Sequence, residues 1–212
     1  IKSGYGLATD QELKQLRAIR RLQPLQPVEL VPTFMGAHAV PEAYRDNRQG
    51  YLELLCEEML PAVQEQGIAE FCDVFCEKGV FPAEESRRIL LTGRQHGLRP
   101  KIHADEIEAI GGSELAGEIG AVSAEHLIVC LPSGIASMAR GGTVACCLPA
   151  TSFYLGAAYA PVQDMVQAGV PVAMATDFNP GSCPCLNMQL VINLGCLRYR
   201  LTPCLLYTSD AA

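Results

Sequence analysis

Short apolar runs alternate with longer amphipathic stretches along almost the whole 212-residue chain, and this alternation limits it to parallel α/β architectures. Strands are expected over 1–5, 28–34, 71–75, 100–103, 126–130, 143–148 and 170–175. Helices are expected over 10–22, 51–66, 83–96, 113–119, 133–139, 162–168 and 188–201. Within 51–66, Tyr51, Leu54, Leu55, Met59 and Val63 recur at helical spacing and mark one buried face. Asp10 and Ser133 read as N-caps, and Gly67, Gly97, Gly120, Gly141 and Gly169 as the residues that end helices. Seven β–α units follow one another. No Gly-x-Gly-x-x-Gly follows an early strand, so a (β/α) barrel with one unit missing is preferred over a dinucleotide-binding sheet.

Composition agrees with one large core. The chain is 49% hydrophobic and 18% charged, below the roughly 25% charged fraction of average domains. The net charge of −7 argues against a nucleic-acid partner, and the absence of a run of about 18 apolar residues excludes a transmembrane helix. The start, Ile1-Lys2-Ser3-Gly4-Tyr5, has neither an initiator Met nor the pattern of a signal peptide, so the natural N-terminus is expected upstream. The ten cysteines contain no Cys-x-x-Cys pair and sit mostly in apolar runs, such as Val144-Ala145-Cys146-Cys147-Leu148. That usage fits reduced, core-filling thiols in the cytoplasm. No composition break separates two domains, so residues 1–203 read as one partial barrel. Residues 204–212 abandon the helical pattern and resemble translated sequencing-adapter read-through, so they are set apart as a non-native tail.

Three of the four histidines fall at or near strand ends, where barrel enzymes build active sites. They are His38, His103 and His126, the last opening the expected 126–130 strand; His96 instead ends a helix and faces solvent. Asp177 ends the run Val172-Ala173-Met174-Ala175-Thr176-Asp177. Singly, each His is more often a hydrogen-bonded structural residue, and Asp177 an Asx-turn. Jointly, imidazole nitrogens and a carboxylate on different parallel strands suit Zn²⁺ or Fe²⁺. Glu106, three residues past His103, is placed for proton transfer beside such an ion.

Five segments carry a closer resemblance: Ser3-Gly4-Tyr5-Gly6-Leu7, Phe34-Met35-Gly36-Ala37-His38-Ala39-Val40-Pro41, Cys72-Asp73-Val74-Phe75-Cys76-Glu77, Ile102-His103-Ala104-Asp105-Glu106 and Ala175-Thr176-Asp177-Phe178-Asn179-Pro180-Gly181-Ser182. In this order they resemble the imidazolonepropionase family of the amidohydrolase superfamily, over nearly all of 1–203. The resemblance implies a metal-dependent (β/α)8 barrel with a small β-sandwich. It also implies that the enzyme opens the cyclic amide of 4-imidazolone-5-propanoate to N-formimidoyl-L-glutamate in histidine degradation.

By that resemblance His103 and Asp177 are metal ligands for one divalent ion, Zn or Fe. Glu106, His126 and Asp177 are catalytic, with Glu106 also contacting the substrate ring. Tyr5, His38, Asn179, Gly181 and Ser182 hold substrate or product. If 1–5 is the second barrel strand, His103 falls on the fifth, His126 on the sixth and Asp177 on the eighth. The superfamily's first-strand His-x-His pair and the substrate Arg after it have no counterpart here, nor do the sandwich strands. The chain is therefore expected to be an internal fragment, itself inactive. The partner expected is a small-molecule substrate; no nucleic acid or membrane is expected, and a homodimer is compatible with the reading. A related cyclic amidohydrolase or a guanine- or cytosine-type deaminase would share His103, His126 and Asp177. A barrel that only binds a small acid is the non-catalytic alternative.

Overall fold

The structure, a computed structural model, describes residues 1–204. Residues 205–212, most of the segment set apart as a tail, lie outside the described residues. The chain divides into two compact units, Ile1–Ile102 and His103–Ala212, with no compositional change at the boundary.

The first unit begins with helix α1 (Thr9–Leu22), whose first turn carries Asp10 and Glu12 and whose last carries Arg20 and Arg21. Both ends thus complement the helix dipole. Leu16 and Ile19 are its buried side. Strand β1 (Thr33–Ala37) follows, then helix α2 (Arg48–Glu53), which passes through a π-helical turn (Leu54–Met59) into α3 (Leu60–Gln66). Strand β2 (Phe71–Cys76), helix α4 (Ala83–Gln95) and strand β3 (Arg99–Ala104) complete the series, the last two residues of β3 falling in the second unit. β1 and β2 pair in parallel, Thr33 opposite Phe71 and Phe34 opposite Cys72. β1 is buried at every residue, as a parallel strand covered on both faces must be.

Two expected strands of this unit are corrected. The 1–5 strand shrinks to one parallel bridge, Lys2 to Thr33, because Gly4 (φ 126°) and Tyr5 (φ 61°) leave the extended region at once. The 28–34 strand starts only at Thr33. Gln26 Oε1 accepts from Val28 N at 2.7 Å, which turns this stretch, and Pro32 has no N–H for a ladder.

The second unit holds α5 (Gly112–Glu118), β4 (Ser123–His126), α6 (Pro132–Gly141), β5 (Val144–Cys147), α7 (Pro149–Leu155), α8 (Val162–Gln167), β6 (Val172–Met174) and α9 (Met188–Arg198). β4, β5 and β6 pair in parallel in chain order, with Ser123 opposite Val144 and Ala145 opposite Val172. Parallel strands joined through helices are the α/β architecture that the alternating sequence requires.

Here the 126–130 strand is corrected: β4 ends at His126 instead of starting there. His126 (φ 72°) and Leu127 (φ 57°) are both left-handed, so the chain cannot continue as a strand. Helix α7 has no counterpart among the expected helices. The two expected N-caps also move, since Ala8 caps α1 and Leu131 caps α6, with Pro132 starting the helix one residue before Ser133. The C-cap of α6 is Gly142, not Gly141. Seven of the ten cysteines are buried. No helix among the described residues is long and apolar enough to cross a membrane.

Candidate active site

Four of the expected site residues converge in the second unit. His103 lies next to last in β3, His126 ends β4, Glu106 sits in the turn after β3, and Asp177 lies three residues past β6. His126 is their common neighbour. Its Nε2 lies 3.6 Å from Glu106 Oε2 and 3.9 Å from Asp177 Oδ2. Its ring centroid is 5.3 Å from that of His103. The imidazoles of His103 and His126 are both buried, at 8% and 4% exposure.

The backbone that presents these groups is strained. Asp105 (φ 52°), His126 (φ 72°) and Asp177 (φ 52°) are all left-handed without being glycine. Such residues cost about 1–3 kcal/mol each and persist where neighbours over-determine them. The neighbours are visible. Ala104 O accepts from Leu127 N at 3.1 Å and Asp105 O from Val129 N at 2.9 Å, which stitches the turn after β3 to the turn after β4. Ser113 Oγ, at the start of α5, donates to Asp105 Oδ2. Glu106 is thereby held beside His126.

Three further residues support the site. Glu125 Oε2 lies 3.5 Å from His103 Nδ1, and its other oxygen accepts from Ser123 Oγ at 2.6 Å. Thr151, on α7, donates to Asp177 Oδ2 at 2.7 Å. Glu125 had a sequence signal: it adjoins His126, and a β4 ending at His126 aims Glu125 and Ser123 to the same face, two residues apart. Thr151 has none, because α7 carries no amphipathic pattern: its first four residues are all buried.

The remaining expected residues form two other groups. In the first unit, the Tyr5 and His38 rings stack at 4.2 Å, with Phe75 edge-on to His38 at 6.1 Å. Tyr5 also borders a cleft of about 700 Å³ that Asp10, Tyr44 and Glu58 help to line. In the second unit Asn179, Gly181 and Ser182 belong to a turn closed by backbone bonds between Asn179 and Cys183, at 3.0 and 2.9 Å. Within it Gly181 N donates to Asn179 Oδ1 at 2.8 Å. His96 stays half-buried, its Nδ1 2.5 Å from Gln64 Oε1, instead of facing solvent freely.

No family model matches the chain. It is 52% identical to the imidazolonepropionase of Alkaliphilus metalliredigens over 204 residues, which are 96% of this chain and 48% of that protein. It is also 52% identical to that of Geobacillus thermodenitrificans, over 95% of this chain and 48% of the relative. The chain thus spans about half the length of the curated relatives it matches. Among solved structures it resembles guanine deaminase from C. acetobutylicum (TM-score 0.70, 13% identity, 92% of this chain and 49% of that one). 5-Methylcytosine deaminase from Klebsiella pneumoniae is similar as well (TM-score 0.68, 14% identity, 94% and 53%). So is an amidohydrolase from a Sargasso Sea sample (TM-score 0.59, 19% identity, 90% and 46%). At these identities the likeness concerns the fold alone, and it is the amidohydrolase α/β fold. With half its residues identical over nearly its whole length, the chain resembles about half of an imidazolonepropionase.

Proposed function

We propose that this chain carries much of the hydrolytic centre of an imidazolonepropionase, which opens the cyclic amide of 4-imidazolone-5-propanoate to N-formimidoyl-L-glutamate. The observation that supports it most is the gathering of Glu106, His126 and Asp177 within 4 Å contacts beside His103, in a chain 52% identical to an imidazolonepropionase.

The donor set fits a divalent ion. His103 and His126 are buried imidazoles, and Asp177 is a partly buried carboxylate, the nitrogen and oxygen ligands that zinc or iron takes. In this reading His103 and Asp177 would hold the ion. When bound, it supplies Lewis acidity that makes water a nucleophile near neutral pH. Zinc is present in structural neighbours, among them an adenosine deaminase from Xanthomonas campestris (TM-score 0.60, 15% identity).

The protein groups then manage protons and charge. Attack of water on the ring carbonyl needs a base for the proton it sheds, and Glu106 or Asp177 takes it. The ring C–N bond breaks as the nitrogen leaves, and Glu106, where it took the water's proton, returns it to that nitrogen, either directly or through His126 Nε2 at 3.6 Å. The resemblance assigns His38 and Tyr5 to substrate binding. It assigns Asn179, Gly181 and Ser182 to substrate binding as well. Because Gly181 N already donates to Asn179 Oδ1, a carboxylate binds there only if that turn opens. The buried thiols support a reducing, cytoplasmic setting.

The test is hydrolysis of 4-imidazolone-5-propanoate by the complete gene product that carries this chain, loaded with zinc or with iron, beside ammonia release from guanine and from cytosine. Ring opening without ammonia release is expected. Ammonia from either base with no ring opening would overturn the assignment in favour of a deaminase.

A further inference from the structure

We propose that Glu12 is a positioning residue, whose buried carboxylate fixes the 4–7 loop and so sets Tyr5 against His38. Glu12 lies in the first turn of α1 and is fully buried. Its Oε2 accepts from Gly4 N at 3.1 Å and its Oε1 from Leu7 N at 2.9 Å. The two bonds close around one short loop, and that loop is the strained one. Gly4 (φ 126°), Tyr5 (φ 61°) and Leu7 (φ 53°) are all left-handed. Tyrosine and leucine do not hold that conformation unaided, so something has to compensate.

A carboxylate is well suited to that role. Hydrogen bonds from backbone N–H groups to an ionised acceptor are about twice as strong as neutral ones. Burial raises the cost of losing either donor. The loop is built around the carboxylate: a Cβ on Gly6 would stand 2.7 Å from Glu12 Oε1 and 2.8 Å from Gln15 Nε2. At the other end, a Cβ on Gly4 would stand 2.9 Å from His38 Nδ1. Space and backbone angle therefore leave the loop one path. That path puts the Tyr5 ring, 65% exposed, at 4.2 Å from the His38 ring. Glu12 acts through the main chain of residues 4–7, which its two hydrogen bonds hold.

The link to catalysis rests on the proposal that Tyr5 and His38 hold substrate, so the experiment separates the two. The chain has no tryptophan, so Tyr5→Trp introduces a single indole fluorophore into the loop. Loop motion on the nanosecond scale is what its anisotropy reads. In that background Glu12→Gln keeps the side chain's size but turns an N–H₂ toward one of the two N–H donors. The anisotropy of the introduced indole is expected to fall while the far-ultraviolet circular dichroism stays. Gly6→Ala disturbs the same contact from the loop side and is expected to give the same fall, should Glu12→Gln fail to fold. An unchanged anisotropy in folded variants of both kinds would overturn the positioning role.

In the complete gene product with Tyr5 retained, Glu12→Gln is expected to raise KM roughly tenfold and leave kcat within a few-fold, the pattern of lost substrate binding. A fall in kcat alone would mark a general structural defect and overturn it. If Tyr5→Ala leaves KM unchanged, the reading of Tyr5 as a substrate contact fails, and the anisotropy still decides what Glu12 does.

Discussion

Thr151 Oγ1 donates a 2.7 Å hydrogen bond to Asp177 Oδ2, and this same oxygen is the one that faces His126 Nε2. A hydroxyl at this place fixes the carboxylate's rotation, so that its orientation precedes any ligand. Outer partners of this kind are worth about 10–100-fold in metal affinity. Thr151→Val removes the donor and keeps the shape. Its zinc affinity, measured by competition with a chromogenic chelator, is expected to fall within that range, and Thr151→Ser is expected to restore it. Equal affinity in the Val variant would show that Asp177 is oriented without Thr151.

Glu106 is separated from the metal-ligand question by its chemistry. Glu106→Gln keeps the hydrogen bonding and size but cannot accept a proton. Metal content, read by atomic absorption, is expected to stay, while turnover falls by about 10²–10⁴-fold, the usual contribution of general acid–base catalysis. Near-normal turnover would move the proton transfer to Asp177.

The sequence exposed what depends on period and punctuation, and concealed what depends on contact. β2 and β3 were legible because Phe71–Cys76 and Arg99–Ala104 lie between clear helical repeats. His103, Glu106, His126 and Asp177 were legible because each lies at or just past an apolar run, the place where barrel chemistry collects. The edge of β4 was not. Ile128 and Val129 continue the apolar run past His126, and only the left-handed angles at His126 and Leu127 break it. α7 was hidden because Pro149, Ala150, Thr151 and Ser152 follow a strand directly and are all buried, which erases any amphipathic stripe. Glu12 and Thr151 were hidden for a different reason. Glu12 bonds to a residue five positions away and Thr151 to one twenty-six away, and such bonds leave no periodic trace.

Small residues join α5 to α6 so closely that the helices meet backbone to backbone. A Cβ on Gly117 would stand 2.2 Å from both the carbonyl carbon and oxygen of Ser137. A Cβ on Gly141 would stand 2.3 Å from Gly117 O. Main chain cannot swing aside as a side chain does, so Gly117→Ala forces the helices apart. The expected loss is about 3 kcal/mol, at the upper end for overpacking, which lowers Tm by about 6–12 °C in a protein this size. α5 also carries Ser113, the partner of Asp105, so the turn that holds Glu106 should loosen with it. Differential scanning calorimetry of Gly117→Ala against the parent checks this, and a Tm shift below about 2 °C would show that the two helices separate at little cost.

Buried thiols should make the fold sensitive to alkali. Burial is the main cause that pushes Cys130 up from 9.0 to about 12, with the Asp105 and Glu114 carboxylates adding to it. Burial also raises Cys72 and Cys147, each fully enclosed. A raised pKa in the folded state means that the folded chain keeps its thiol protons where the unfolded chain gives them up. The stability these thiols contribute is therefore complete below about pH 9. It is lost as the pH climbs from there toward each folded-state value, with a slope approaching about 1.4 kcal/mol per pH unit for each thiol. Urea midpoints under reducing conditions should hold steady from about pH 7 to 8.5 and fall steeply from about pH 9 to 11. Cys147→Ala should make that fall shallower by about one proton, whatever its cost at neutral pH, because it removes one group from the linkage. A slope that the substitution leaves unchanged would mean that Cys147 ionises as freely inside the fold as outside it.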